Sequence, residues 1–518
     1  MLYVLTSTPG CPGSFGCSRV PVFLHSRRAR TTAEVSAVHA PTPETTRRPT
    51  DPDGPTGRLA AWLAGATLDE IPTAVRERAA HLVLDGLGCA LIGAQLPWSR
   101  TAVEAVLTLE GTGDVPLIGW GRTTSAPAAA VLNGTFIQGF ELDDYFPAAP
   151  LHSASLVLPA LLSTSAQLPA VSGAEFLRAA VLAFETGPRI GLALHGPQML
   201  TRGWHSGSVF GTHAAAAASG ALRGLDPAAF EDALGLAATQ SAGLMAAQYE
   251  AMSKRMHHGL AARNGFYAAG LAAAGYTGIK RVFERPYGGF LSTFGEGHDP
   301  DATQVTRGLG EIWHTSGIAV KQHAAMGGLH PAVDAVLALS KQHAFDTQDV
   351  TGIRIEVPEA IYHHGWWQPE RPLTTIGAQM NIAYAVSVAL LDGQVGPAQF
   401  TPARIDADDV WQLIDRTTVA QVDTVQDPAW AQPGYNTRVT LRLRDGQELT
   451  LALNQPHGGP DDPLRNDEIR AKFRTLTADV IDTHRAARIE ELTLAIETLP
   501  DLTELVALLA APAGGVLG

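Results

Sequence analysis

The amino-acid sequence predicts a mostly α fold, in which a large helical bundle is joined by a second domain of mixed α/β structure. From Leu59 onward, segments of helical periodicity follow one another, and many are apolar on every face, which is typical of buried helices. The alternation typical of strands appears only late, at 351–357 and 437–453. Helical periodicity then returns from about Asp467 to Leu509, and we expect this last part to pack back on the helical body.

The individual elements follow from local patterns. After an acidic first turn, the segment T-L-D-E-I-P-T-A-V-R-E-R-A-A-H-L-V-L-D-G-L-G-C-A-L-I-G has an apolar stripe formed by Ile71, Val75, Ala79 and Leu82. Further helices are predicted at 99–109, 125–140, 153–167, 172–194, 207–222, 227–238 and 258–275. In the late hairpin, Val439, Leu441 and Leu443 face one side of the sheet, and Asp445-Gly446 supplies a two-residue turn.

The first residues differ in composition from the rest of the chain. Residues 1–33 contain no Asp or Glu but four arginines, and a Pro/Thr-rich stretch follows. This pattern resembles an organellar transit peptide, and an overlong start is the alternative. We predict a disordered leader and linker at 1–54, and the folded part of the chain from residue 55 onward. The expected location is cytoplasmic, or mitochondrial if the leader is a transit peptide.

Bulk composition excludes several classes of protein. A chain of 518 residues has room for two or three domains, and its 45% hydrophobic and 17% charged content is that of an ordinary globular protein. The net charge of −14 argues against nucleic acid or a membrane surface as the partner. Cys11, Cys17 and Cys89 are too few for a disulfide framework or a metal knuckle, which fits a reducing compartment. No apolar run is typical of a transmembrane helix.

Familiar cofactor and nucleophile motifs are absent from the sequence, which favours chemistry by side-chain acids and bases. There is no G-x-G-x-x-G after a strand, no P-loop, no H-E-x-x-H, no C-x-x-C and no G-x-S-x-G. Four clusters combine His, Lys, Arg and carboxylates. They are 140–160 with Asp143, Asp144 and His152; 202–211 with His205; 251–265 with Lys254, Arg255, His257, His258 and Arg263; and 321–336 with Lys321, His323, His330 and Asp334.

Each cluster also has a purely structural interpretation. Asp143 and Asp144 are compatible with a helix end at the surface, and a lone histidine such as His152 or His205 is commonly bonded to backbone carbonyls. Lys254-Arg255 is compatible with a solvated turn. His330 and Asp334 stand at i and i+4, a spacing that also stabilises a surface helix. His205 is the most suggestive of them, because the glycines and serines around it predict a helix N-terminus, where anions bind.

Taken in order, the four clusters resemble the MmgE/PrpD family, which includes 2-methylcitrate dehydratase and cis-aconitate decarboxylase. The family pattern L-D-F-D-D-T followed by H-P-S-A-x-x-x-P-A is similar to F-E-L-D-D-Y and L-H-S-A-S-L-V-L-P-A here. The blocks at 203–211, 254–265, 321–335 and 378–386 are similar as well, and the likeness covers about residues 55 to 510. In this chain Glu141 replaces the motif's first Asp, Tyr145 replaces its Thr, and one extra residue precedes His152.

The resemblance implies a large all-helical domain at 55–320 and 470–518 and a smaller α/β lid domain at 321–469. It also implies a lyase that acts on a small di- or tricarboxylic acid without a metal or an organic cofactor, in the cleft between these two domains. A homodimer is implied as well. The implied catalytic residues are His152, His205, Lys254, His330 and Asp143. The implied substrate-binding residues are Asp144, Tyr145, Arg255, Arg263, Lys321 and Tyr384.

A physical hypothesis fits this set of residues. His152 or His205 moves a proton at carbon, Lys254 binds a carboxylate, His330 completes the acid–base pair from the lid, and the aspartates orient the imidazoles. The reaction is then the dehydration of a 2-methylcitrate-like acid or the decarboxylation of a cis-aconitate-like one. An epimerase or racemase of a dicarboxylate, a non-catalytic helical binding protein and a metal-dependent hydrolase are the alternatives.

Overall fold

Helices make up most of the computed structural model, which describes residues 47–422, 436–459 and 461–517. The first part contains α1 (Pro55–Gly65), α2 (Thr73–Gly93), α3 (Pro97–Leu109), α4 (Ala126–Ile137), α5 (Ala154–Ser165), α6 (Gly173–Ala193), α7 (Gly196–Thr201), α8 (Ser206–Leu222), α9 (Pro227–Ala238), α10 (Ser253–Ala273) and α11 (Phe290–Phe294). Two short antiparallel pairs accompany them: β1 (Val115–Leu117) with β2 (Arg122–Thr124), and β3 (Asp144–Tyr145) with β4 (Ala319–Val320).

The helices pack tightly because their contact surfaces carry very small side chains. The run Ala214–Ala218 of α8 is fully buried, and α8 packs against α6 and α10. Helix α10 also packs against α4, α5 and α9. Its Gly259 is required for this approach, because a Cβ atom there would lie 2.1 Å from the Val131 carbonyl oxygen of α4. This close packing fixes the position of the first turn of α10, which carries the basic cluster of residues 254–258.

The sheet region lies between residues 330 and 453. Its helices are α12 (His330–Gln342), α13 (Glu359–Gly365), α14 (Thr375–Met380), α15 (Ile382–Asp392), α16 (Pro402–Ile405) and α17 (Asp408–Ile414), and its strands are β5 (Val350–Val357), β6 (Thr417–Gln421), β7 (Thr437–Leu443) and β8 (Glu448–Leu453). The strand order is β6-β5-β7-β8, with β5 and β6 parallel and the other neighbours antiparallel. Val439 and Leu441 of β7 are buried while Arg442 is exposed, which is the alternation predicted for the hairpin.

The chain returns to the helical body through α18 (Asn466–Thr477), α19 (Thr483–Leu494) and α20 (Thr503–Ala510). Helices α18 and α19 pack on α2, and Lys472 of α18 pairs with the buried Asp85 of α2 at 2.6 Å. The prediction of a mostly α fold with a smaller α/β part is confirmed. The proposed domain limits at 320/321 and 469/470 stay a prediction.

Most of the predicted leader, residues 1–46, lies outside the described residues. The described chain already makes contacts before residue 55, where we had placed the start of the folded part. Arg47 pairs with Asp226 at 2.9 Å, and the backbone N–H and hydroxyl of Thr50 donate to Glu231. In the part of the chain that the structure describes, no single helix has the length and composition to cross a membrane. Among the described helices, α2 and α3 together have the required length and composition, but they meet at an angle of 85°.

Candidate active site

The acidic loop, residues 141–145, is placed by a two-residue β ladder. Asp144 pairs with Val320 and Tyr145 with Ala319, so that Lys321 comes next to the acids of this loop. Its Nζ lies 2.8 Å from Glu141 Oε2 and 3.4 Å from Asp143 Oδ1. Two segments far apart in sequence therefore meet here and bring opposite charges together.

Asp144 has a structural task in this loop. Its two carboxylate oxygens accept hydrogen bonds of 2.9 Å from the backbone N–H groups of Ser153 and Ala154, where α5 begins. Burial and the neighbouring Asp143 carboxylate raise the pKa of Asp144 to about 8. Asp144 thus fixes the start of α5, and with it His152, but does not line the cavity described below.

His152 and Asp143 form a carboxylate–imidazole pair. The His152 Nδ1 atom lies 3.1 Å from Asp143 Oδ2. Burial alone would raise the pKa of Asp143, but His152 and Lys321 outweigh it and lower this pKa to about 2. Asp143 is therefore ionised at neutral pH, and its negative charge lies beside the His152 imidazole.

Glu141 is the centre of a buried cationic cluster made of Lys254, Arg255 and Lys321. Its carboxylate accepts from the Lys254 ammonium group, the Arg255 guanidinium and the Lys321 ammonium group. Burial by itself would raise the pKa of Glu141, yet these cations hold it well below its usual range. The residue has a positive φ of 56°, a conformation uncommon for a non-glycine residue.

The two lysines of this cluster differ in their protonation behaviour. Burial lowers the pKa of Lys254 to about 8, although Glu141 opposes this shift. Lys321 is buried too, but Glu141 and Asp143 together raise its pKa above the ordinary value. Lys321 is thus a permanent cation, whereas Lys254 gains or loses its proton within the working range of an enzyme.

Four imidazoles continue the site away from the acids: His152, His258, His205 and His257. The His258 ring lies between those of His152 and His205, with centroids 5.1 and 4.9 Å away. Its Nδ1 is 2.9 Å from the Ser155 hydroxyl. His205 Nδ1 lies 2.8 Å from His257 Nδ1. Burial holds the pKa of both His205 and His258 well below the usual value, so these rings are neutral at rest.

A cavity of about 430 Å³ brings these groups together. Of the residues named from the sequence, Glu141, Tyr145, His152, His205, Lys254 and Lys321 line it. Asp143 and Arg255 lie directly behind, in contact with His152 and Glu141. The rest of the wall is largely apolar, with Leu200, Met245, Met326, Ile361 and Met380, and it also includes the polar side chains of His364 and Gln455. The cavity thus has a cationic, imidazole-rich end and an apolar end.

Besides Asp143, Asp144 and Arg255, three more of the proposed site residues do not line this cavity. His330 is buried, with Nε2 3.1 Å from the Ala325 carbonyl oxygen and its ring against His323. The Tyr384 hydroxyl donates to the Gln399 carbonyl oxygen. The Arg263 guanidinium donates to Asn264 and lines a different cavity. The contacts of these three side chains are internal, so we give them no role in the chemistry proposed below.

Sequence reasoning left out some residues that the structure brings to the site. Glu141 was noticed only as a departure from the motif. Gln379 accepts from Arg255 at 2.6 Å and donates to the Phe140 carbonyl oxygen, so it ties the cluster to the sheet region. The A-Q-M-N block that contains Gln379 was the available signal. In the described part of the chain, no group of three or more His, Cys, Asp or Glu residues is arranged to hold a metal ion.

Comparison with known proteins decides the family. Residues 57–303 match the MmgE/PrpD N-terminal domain, and residues 323–498 match the MmgE/PrpD C-terminal domain. The chain belongs to the MmgE/PrpD family. This confirms the family identified from the four clusters and, with it, a lyase function of the dehydratase or decarboxylase type.

Relatives in this family are similar along nearly their whole length. The chain is 45% identical to the cis-aconitate decarboxylase-like protein oryM of Aspergillus oryzae, over 88% of this chain and 97% of that protein. It is 40% identical to the cis-aconitate decarboxylase of Aspergillus terreus, over 89% and 96%. The human cis-aconitate decarboxylase is 24% identical over 88% and 95%.

Proposed function

We propose that this MmgE/PrpD protein is a carboxy-lyase that removes carbon dioxide from a cis-aconitate-like unsaturated polycarboxylic acid. The observation that carries the proposal is a cavity wall on which His152, held from behind by Asp143, lies beside the Lys254–Glu141–Lys321 cluster. Two relatives at 40–45% identity are named as a cis-aconitate decarboxylase or decarboxylase-like protein, which supports the same reaction.

The charges at the cavity suit an anionic substrate. Lys254, Arg255 and Lys321 contribute three positive charges, and Glu141 and Asp143 contribute two negative ones, which leaves one net positive charge. Lys254 and Lys321 line the cavity and bind substrate carboxylates there. Because the site is buried, a charge contact to the developing anion has more effect than it would have in water.

In the proposed reaction, the bond between a carboxylate and its methylene carbon breaks and carbon dioxide leaves. The electron pair of this bond forms a new double bond to the neighbouring carbon, and the π pair of the old double bond moves to the far alkene carbon. An imidazole of the site, His205 or His152, delivers a proton to that carbon. Lys254 stabilises the negative charge that spreads over the adjacent carboxylate during this shift. The step consumes one proton for each carbon dioxide released.

The apolar end of the cavity extends the range of acids that fit. Leu200, Met326 and Ile361 would bury a hydrocarbon substituent of the substrate, at about 25 cal/mol per Å² of apolar surface. The substrate panel therefore runs from cis-aconitate to analogues with an alkyl group on the carbon chain, together with 2-methylcitrate and citrate.

The test is turnover of this panel in deuterated water, followed by NMR. We expect release of carbon dioxide and one deuteron at the former alkene carbon of the product. Loss of water without carbon dioxide would instead indicate a dehydratase, and exchange of hydrogen with no loss would indicate an epimerase. Turnover after treatment with a chelator tests the proposed independence from metal.

Variants of two lysines link the reaction to the cavity. Lys254→Ala should lower kcat by about 10²–10³-fold, the effect typical of losing one group that stabilises a developing anion. Lys341→Ala is the matched control, because Lys341 lies exposed on α12 and is not part of the cavity wall. Full turnover by Lys254→Ala would contradict the proposed role.

A further inference from the structure

The proposed decarboxylation consumes a proton in a buried site, and this inference rests on that proposal. His205 is only 4% exposed, and burial holds its pKa well below the usual value. A neutral buried imidazole that has delivered its proton to the substrate must receive another one before the next turnover. The route of that proton is therefore part of the catalytic cycle.

A second cavity lies on the far side of His205. It has a volume of about 570 Å³ and, among the described residues, shares no lining residue with the substrate cavity. Its wall includes His257, Arg263 and Asn264, and its rim carries the exposed side chains of Leu244 and Glu250. This cavity is therefore open to solvent, and His257 is the imidazole that faces it.

A short contact connects the two cavities. His205 Nδ1 and His257 Nδ1 are 2.8 Å apart, so one of these nitrogens carries a hydrogen and donates it to the other. His205 lines the substrate cavity, and its Nδ1 is occupied by His257, which leaves Nε2 for the substrate. His257 is half-buried.

We propose that His205 and His257 form a proton relay from the solvent-filled second cavity to the substrate carbon. His257 takes a proton at Nε2 from water or buffer and passes the one on its Nδ1 to Nδ1 of His205. His205 then gives its Nε2 proton to the far alkene carbon, which receives the π pair as carbon dioxide leaves. After the product has left, proton exchange with water returns both imidazoles to their starting tautomers. One proton enters and one reaches the product for each carbon dioxide lost, with no change of oxidation state in the protein.

The surroundings of His257 suit a transient carrier. Burial and, to a smaller extent, the positive charge of Lys254 one turn earlier on α10 lower the pKa of His257 to about 4. The other ionisable groups on this side are His205, behind the ring, and Glu250 and Arg263, on the wall of the second cavity. The imidazolium form is thus short-lived, which favours rapid transfer to His205 over storage of the proton on His257.

The test uses two substitutions of His257 and one matched control. His257→Ala removes the carrier. His257→Asn retains an amide that can bond to His205 Nδ1 but cannot pass a proton on. Asn264→Ala changes the wall of the same second cavity without touching the His205–His257 pair.

In dilute buffer we expect both His257 variants to lower kcat by about 10–10²-fold, toward the lower limit for general acid–base effects, with KM unchanged. The solvent deuterium isotope effect on kcat should rise, because proton delivery becomes rate-limiting. Added imidazole should restore kcat of His257→Ala, and the effect should saturate as the imidazole concentration rises. The reason is that the space left by the His257 side chain opens on the second cavity. Asn264→Ala should behave like the unmodified protein.

Other results would overturn the relay. One is an unchanged kcat in both His257 variants. Another is a lowered kcat that neither imidazole nor any other small buffer acid restores. A similar loss in Asn264→Ala would show that the cavity wall, not the imidazole, matters. Failure of the unmodified protein to release carbon dioxide from any acid of the panel would overturn the proposed function and the relay together, so the two failures are distinguishable.

Discussion

Replacing Glu141 by glutamine removes the negative charge at the centre of the cationic cluster. Lys254 and Arg255 lose their carboxylate partner, and Lys321 keeps only Asp143, at 3.4 Å. Removing one partner of a buried ion pair typically costs about 3–5 kcal/mol of unfolding free energy, because a charge is left uncompensated. Since a large chain loses about 2 °C per kcal/mol, we expect Tm to fall by roughly 6–10 °C.

A bound anion should offset part of this loss, because a substrate carboxylate takes the place of the missing one. A ligand that binds only the folded chain, at a concentration of one hundred times its Kd, adds about 2.7 kcal/mol to the unfolding free energy. The assay is thermal unfolding with and without a saturated, unreactive tricarboxylic acid. The anion should raise Tm of Glu141→Gln more than that of the unmodified protein.

Glu141→Asp is the matched control for this experiment. It keeps the charge and restores the residue type of the family motif, but it is shorter by one methylene group. We expect a smaller loss of stability and little extra response to the anion. The reasoning is refuted if Glu141→Gln unfolds within about 1 kcal/mol of the unmodified protein, or if the anion stabilises all three forms equally.

Three further predictions follow from the site. Because the pKa of Lys254 is lowered to about 8, its ammonium form is lost above that pH; kcat/KM should fall as pH rises through about 8, and Lys254→Arg should move this limb to higher pH. A limb that stays in place would contradict the assignment. A Cβ atom on Gly207 would lie 2.7 Å from His258 Nε2, so Gly207→Ala should displace this imidazole, lower kcat and cost about 1–3 kcal/mol, which chemical denaturation and kinetics measure. Asp144 binds its proton more tightly in the folded chain, with a pKa of about 8 against 3.8, so its contribution to the unfolding free energy falls as pH rises from about 4 to 8. The unfolding free energy of Asp144→Asn should therefore fall less over that pH range than that of the unmodified protein. Parallel curves of unfolding free energy against pH for the two proteins would refute this.

The sequence predicted the helices well where a periodic apolar pattern reports burial. The segments proposed at 227–238, 172–194 and 437–453 correspond to α9, α6 and the β7–β8 hairpin within one or two residues at each end. Helix α10 was placed too late, at 258, but it begins at Ser253. Its first turns carry Lys254, Arg255 and His257, and such polar residues favour an exposed segment. Lys254 and Arg255 are nevertheless buried, because the distant Glu141 neutralises their charges.

The site was predicted in part for a related reason. Local patterns mark residues of unusual chemistry, but they do not show which partners reach them. His330 and Asp334 have the spacing of a helical pair, yet Asp334 accepts instead from His323 at 2.8 Å and from the His457 backbone at 3.0 Å. Glu141 became central only through contacts 113 and 180 positions away along the chain. Such long-range pairs leave no periodic trace in a single sequence.

The lysine of α18 sets an order of events during synthesis of this protein. The Lys472 ammonium group donates to the Leu142 carbonyl oxygen at 2.5 Å, across 330 positions, and so anchors the acidic loop between Glu141 and Asp143. At about 5–20 residues per second, a ribosome needs roughly 15–65 s to make that stretch. In a nascent chain, helices α1–α11 are thus made well before the acidic loop is anchored. A message truncated ahead of Lys472 yields a polypeptide whose acidic loop lacks this anchor.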